Sequence, residues 1–214
     1  MFADVAVFPR APSASERAAV IARGRARSFN YPKELVGTSG VDAREDEAQR
    51  ARLRAHGWFW AIDRTRARVG RGQGCYERAK RALEAWEHFD LDWARADAER
   101  GTEVGGGVCV TTRAGPVWMA NPLEIVRLRE GARGGGGGKR FAFAHGTLVG
   151  HVLAGEERFA VELTSDGEVY YEAYTFSRPA HALSVLGYPV VRLLQKKFHR
   201  DSTRAMKRIL GESE

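Results

Sequence analysis

The chain has 214 residues, 43% of them hydrophobic and 29% charged, which is enough apolar material for one sizeable core with an N-terminal extension. Its 34 Lys and Arg against 27 Asp and Glu leave a formal charge of +7, yet the arginines are threaded among acids rather than gathered in one block, which argues against a specific nucleic-acid reader. No apolar run reaches the ~18 residues of a membrane span, and the distant Cys75 and Cys109 form no metal or redox spacing, so a reducing, cytoplasmic setting is expected.

Residues 1–57 read as an extension, partly helical or mobile. Ser13-Ala14-Ser15-Glu16 has the form of a capping box ahead of Ala18, Ala19, Val20 and Ile21. The Ala, Ser and Arg content resembles an organelle-import segment, but Asp4 and Glu16 interrupt it. Residues 41–56 are charge-dense and read as an exposed helix or a mobile loop. The main domain is expected over 58–214 and opens with a strand over 58–69. The following Gly70-Arg71-Gly72-Gln73-Gly74 lacks the Gly-Lys-Ser/Thr ending of a phosphate loop and reads as a turn into a helix. That helix, expected over 76–89, aligns Tyr76, Ala79, Leu83 and Trp86 on one stripe. Strands over 103–112 and 117–130 come next, with Pro122 marking a bulge or break, then a hairpin tip at the glycine run 134–138.

The clearest pattern runs from 141 to 176, three strands joined by tight turns. Phe141, Phe143, His145, Thr147, Val149 and His151 alternate with smaller residues, and Phe159, Val161 and Leu163 alternate with Arg158 and Glu162. The turn at Asp166-Gly167 allows two registers. One pairs Val161 with Glu172 and buries that carboxylate; the other adds a glycine bulge, pairs Val161 with Tyr171 and sets Glu172 beside Ala160 on the Arg158 face. The second is favoured because an unpaired buried carboxylate is costly. After Ser177-Arg178-Pro179 and a short helical turn, a long helix is expected over 189–210. Val191, Leu194, Phe198, Ser202, Ala205 and Ile209 form its buried stripe. Ser202 in mid-stripe either bonds its own helix backbone or faces a polar interior; the first is the ordinary outcome.

Strand, helix, a run of antiparallel strands and one long terminal helix predict an α+β fold of the helix-grip type. In that fold, as in START-like and birch-pollen-allergen-like (SRPBCC) proteins, a curved sheet wraps the last helix. Several runs carry a closer resemblance: Gly146-Thr147-Leu148 with Gly150-His151, Ala154-Gly155-Glu156-Glu157 with Phe159, and Leu186-Gly187-Tyr188-Pro189. With Tyr76-Glu77, Trp86, His88-Phe89 and Asp92-Trp93 they are similar to the uncharacterised family DUF1990, also called UPF0548, and to its plant members in particular. The resemblance spans roughly Asn30 to the end and leaves out the glycine run and the arginine-rich start. It implies a helix-grip-like fold and an apolar cavity, and brings no catalytic residue with it.

Three functions remain in view. The first is a carrier or binder of a small apolar or amphipathic, lipid-like ligand. Trp86, Trp118, Phe143, Phe159, Tyr171 and Phe198 would line its cavity, and His151 or Ser202 would orient a head group. The second is a hydrolase or cyclase that uses His151 with Glu156 or Glu157. The third is a protein whose basic terminal helix makes weak contact with an anionic surface. His145 and His151, six residues apart on one extended strand, are too distant to share a metal, so neither metal nor cofactor is expected.

Overall fold

Alternation and turn chemistry produce one eight-stranded antiparallel sheet. The computed structural model describes residues 5–40, 46–57, 59–133 and 138–211. Trp58, residues 41–45 and most of the glycine run, all singled out above, lie outside these. The strands are β1 (Ala6–Phe8), β2 (Ala61–Arg71), β3 (Ala94–Ala98), β4 (Gly107–Ala114), β5 (Val117–Arg133), β6 (Gly138–Thr147), β7 (Leu153–Leu163) and β8 (Glu168–Pro179). Their order is β2-β8-β7-β6-β5-β4-β3, with β1 added beside β5. Val161 pairs with Tyr171 and Ala160 with Glu172, the favoured register. The break expected at Pro122 falls instead between Ile125 and Arg127, and a second lies between Arg68 and Gly70; such bulges bend a sheet.

The helices are α1 (Ala14–Arg27), α2 (Asp46–Ala55), α3 (Gln73–Glu84), α4 (Ala182–Leu186) and α5 (Tyr188–Leu210). Ser13 and Glu16 form both bonds of the expected capping box on α1. α3 stops short of the expected Phe89 because Trp86 adopts a left-handed backbone. Its ring packs 4.8 Å from Phe143, and the chain turns back to bury His88 and Phe89. On α5 the buried stripe runs through Phe198, Ser202, Ala205, Met206 and Leu210, while Ile209, expected inside, is exposed. This is the helix-grip arrangement, a large antiparallel sheet with a long C-terminal helix.

The inner face of the sheet (Phe141, Phe143, Phe159, Val161, Tyr171) packs on α3 and α5. The outer face is covered by the N-terminal third, which is stitched into the fold rather than appended to it. α1 seats Val20 and Ile21 on Ala120 and Cys109, and Tyr31, Leu35 and Leu53 pack on Tyr174 and Phe176. Tyr31 donates to Glu156 Oε1 at 2.8 Å, and the N–H groups of Gly37 and Ser39 also donate to that carboxylate. Gly146 leaves the room for this bond: a Cβ there would lie 2.2 Å from the Tyr31 hydroxyl.

Gly155 is the tightest backbone point. Its φ is +148°, and an added Cβ would stand 2.0 Å from the Phe176 carbonyl oxygen. The obstacle is backbone and cannot rotate aside. Gly155→Ala is expected to cost roughly 3 kcal/mol, seen as a lower urea midpoint with unchanged slope; an unaltered midpoint would contradict this strand packing.

Candidate functional site

Where the inner face runs out from under α3, the first half of α5 bridges it and leaves a cavity of about 170 Å³. Most of its wall is apolar: Phe89, Trp93, Val110, Met119, Leu123 and Leu194, with Phe198 from α5. Polar residues line it too, among them His145 from β6, Glu157 from β7, Thr175 from β8 and His199 from α5.

Register brings these groups together. His145 is the cross-strand partner of Glu157, and Glu157 of Thr175. Glu157 Oε2 lies 3.4 Å from His145 Nε2. Its Oε1 accepts a bond from the Thr175 hydroxyl at 3.0 Å and lies 3.5 Å from His199 Nε2. The other His199 nitrogen, Nδ1, is 3.1 Å from the Thr65 hydroxyl on β2. The result is a continuous chain, Thr65–His199–Glu157–His145, with Thr175 bridging its centre. Burial alone would raise the Glu157 carboxyl, but the hydrogen bonds and charges of His145 and His199 outweigh it and bring the pKa to about 2. Glu157 is therefore ionised at neutral pH. Its side chain is 19% exposed against 1% for His145, so Glu157 is the more open of the two.

Of the residues expected to line a pocket, two do, Phe198 and His151. Trp86, Phe143, Phe159 and Tyr171 lie in the solid core. Ser202 is spent within it, accepting from the Tyr171 hydroxyl at 3.2 Å and donating to the His199 carbonyl. Trp118 is on the opposite face, beside Phe8 of β1, because the alternation of β5 sends its neighbour Met119 to the cavity.

The pairing of His151 with Glu156 or Glu157 is not formed. Strand β6 ends at Thr147, so His151 sits on a loop, where its Nδ1 accepts the Leu153 N–H at 2.9 Å. Burial and the nearby His145 push its pKa down to about 3, leaving it neutral. The same turn brings His151 back beside the cavity that His145 lines, so the spacing of an extended strand does not apply. Glu156 is bound by Tyr31, Gly37 and Ser39 on the outer face, and burial raises its pKa.

His145, Glu157 and His199 thus form the polar centre; of these the sequence points to Glu157, but with His151 as its partner rather than His145 and His199. Glu157 had a signal: two residues before Phe159, it shares the face of Phe159, Val161 and Leu163. His199, one step off the α5 stripe, had none. Among the described residues no group of three or more His, Cys, Asp or Glu is placed to hold a metal ion. No helix among them is long and apolar enough to cross a membrane.

Known proteins are similar to this chain in sequence or in fold. The family model "Domain of unknown function (DUF1990)" matches residues 43–205. A UPF0548 protein of Arabidopsis thaliana is 38% identical over 198 residues, 91% of this chain and 93% of its own. One from Dictyostelium discoideum is 33% identical over 213 residues, 96% of each. In structure, the chain is similar to the di-domain ARO/CYC StfQ of the steffimycin biosynthetic pathway, with a TM-score of 0.50 and 15% identity. That match covers 78% of this chain and 55% of the di-domain protein, and at such low identity it speaks for the fold alone. With the family model matching most of its length and both relatives aligned nearly end to end, the chain belongs to the DUF1990 (UPF0548) family.

Proposed function

We propose that this protein binds a small, one-ring amphipathic molecule, its ring among Phe89, Trp93, Leu123 and Phe198 and a hydroxyl or ammonium group on Glu157. One observation carries the reading, an ionised carboxylate on a cavity whose lining surface is mostly apolar. The volume of about 170 Å³ sets the size. It is close to the ~150 Å³ of a cavity that takes benzene and below the ~300 Å³ at which ordinary ligand pockets begin. A lipid-like guest is larger than this space. Burying ~200 Å² of ring at ~25 cal/mol/Å² yields roughly 5 kcal/mol, and association costs about 4 kcal/mol or more. The ring alone is therefore nearly neutral, and a charge-assisted hydrogen bond to Glu157 decides whether binding occurs.

Toluene, benzyl alcohol and benzylamine titrated into the full-length protein by NMR test this. The two donors are expected to bind at least about tenfold more tightly than toluene. Glu157→Gln should bring them down to the toluene level, and Phe198→Trp, which fills the cavity, should block all three. Absence of binding, or binding that neither variant alters, rejects the reading.

The hydrogen-bonded chain favours a second reading, acid–base catalysis on the bound molecule in which His145 or His199, held by Glu157, exchanges the proton. It requires that a ligand retained in native mass spectrometry be converted on incubation; a ligand recovered unchanged excludes it.

A further inference from the structure

The outward side of the α4–α5 elbow is aliphatic. Val185, Leu186, Val190 and Leu193 are 61%, 81%, 58% and 67% exposed, four large aliphatic side chains on adjoining turns of helix. From Val190 and Leu193 the same outward stripe of α5 continues, at three- and four-residue steps, through Lys197, Arg200, Arg204 and Arg208. Beside this stripe an open groove of about 630 Å³ runs between α5 and the sheet-edge strand β2. Lys196, Arg200, Arg204 and Lys207 line it beside Arg64, which is bound to Glu172, and the one acid of that lining, Asp63, is engaged by both Nη atoms of Arg192. Asp201 is the acid nearest the stripe, and it already holds Lys197 and Arg200. The helix thus presents an aliphatic end and a cationic remainder along one line.

We infer that this face docks on an anionic lipid surface, with the aliphatic elbow in the outer acyl region and the cationic turns on the headgroups. Neither half alone specifies that partner, but together they do. A nucleic acid would satisfy the cations and leave four aliphatic side chains without a partner. A second copy meeting through the same face would set like cations against each other, since a two-fold interface joins identical patches. A membrane interface takes both, and binding there scales with inserted apolar area and attraction to anionic lipid. The inference does not rest on the occupant of the cavity.

Co-sedimentation of the intact protein with vesicles tests it. The protein is expected to pellet with phosphatidylcholine vesicles containing about one third phosphatidylserine, far less with phosphatidylcholine alone, and less as salt rises. Leu186→Glu with Leu193→Glu, and separately Arg200→Glu with Arg204→Glu, should each lower the bound fraction at least about tenfold. Their melting temperatures should stay at the parent value, because these side chains face solvent. Three results would overturn the inference: no sedimentation with either vesicle, sedimentation insensitive to both double variants, or a concentration-dependent dimer abolished by Leu193→Glu without vesicle binding.

Discussion

Glu172→Gln is expected to destabilise the fold by roughly 3–5 kcal/mol, the range for breaking a buried ion pair from one side. Glu172 is buried on the outer face of β8, where its carboxylate accepts from Arg64 at 2.5 and 2.9 Å, from Arg140 at 2.9 Å and from Arg158 at 2.5 Å. The three arginines differ in what they can do without it. Arg64 is 30% exposed and can turn to water, and Arg140 retains Glu162 at 3.6 Å, but Arg158 is 4% exposed and fixed beneath the Ser39 carbonyl. Burial alone would raise the Glu172 carboxyl; the charges of Arg158 and Arg140 and the bond from Arg64 bring it to about 2. Against a total stability of about 5–15 kcal/mol the loss is large, near 10 °C in melting temperature. Glu162 lies 3.6 Å from both Arg66 and Arg140, longer contacts than those of Glu172, so Glu162→Gln should cost less than Glu172→Gln. Adding Arg158→Met to a Glu172→Met chain should recover much of the loss, since a buried pair replaced by apolar side chains is often neutral. A Glu172→Gln urea midpoint within error of the parent would remove the network from the account of stability.

The second large effect is a pH dependence carried by His88. Its ring is completely buried, 4.4 Å from that of Phe159 and packed by Trp86, Phe89 and Phe143, and neither ring nitrogen has a hydrogen-bond partner among the described residues. Burial, with a smaller push from His145, lowers its pKa from 6.5 to about 3. The unfolded chain therefore binds this proton more readily than the folded one. The stability contribution is complete above pH 6.5 and is lost as pH falls toward 3, at about 1.4 kcal/mol per pH unit. At pH 5 the parent should have lost roughly 2 kcal/mol on account of this residue.

His88→Phe should remove this residue's share of the slope between pH 6.5 and 5 and leave that of His151, whose pKa burial also lowers to about 3. At pH 7 it should also stabilise the protein by about 1–3 kcal/mol, because two polar atoms without partners leave the core. Denaturant titrations of both proteins at pH 7, 6 and 5 provide the comparison. Equal slopes would show that the buried imidazole is not the sensor. Below this window the fall is shared by Glu157 and Glu172. Both carboxyls are depressed from 4.5 to about 2, so their contribution holds above 4.5 and fades as pH approaches 2.

Most of the scaffold was legible because it rests on short-range rules. Alternation from Phe141 onward and the Asp166-Gly167 turn specify the β6–β7–β8 register, the capping box specifies the start of α1, and the 3.6-residue stripe specifies α3. What remained hidden depends on partners distant in the chain. That Glu172 is buried yet tolerable requires knowing that β2 delivers Arg64, 108 residues away. The Trp118 face depends on β1 joining β5, and aromatic size suggested the wrong side. The cavity was misplaced for a related reason. Large aromatics read in sequence as cavity lining, but they pack against one another and close the core around Phe143 and Phe159. The space remains where α5 meets smaller and polar residues, Asn121, Thr175 and Gln195 among them.

The strand order also bears on how the chain is made. β2, near the N-terminus, has a single sheet neighbour, β8, and β1 and α1 find theirs on β4 and β5. A ribosome adding about 5–20 residues per second would release β2 roughly 5–20 s before β8, given the 108 residues between Arg64 and Glu172. During that wait the nascent segment has Arg64, Arg66, Arg68 and Arg71 along its length, a spacing of charge that discourages strand-to-strand association with neighbouring polypeptides. The acidic partners that neutralise those arginines in the finished molecule, Glu162, Glu168 and Glu172, are among the later parts to be synthesised, so docking of the first strand is deferred until its counter-charges exist.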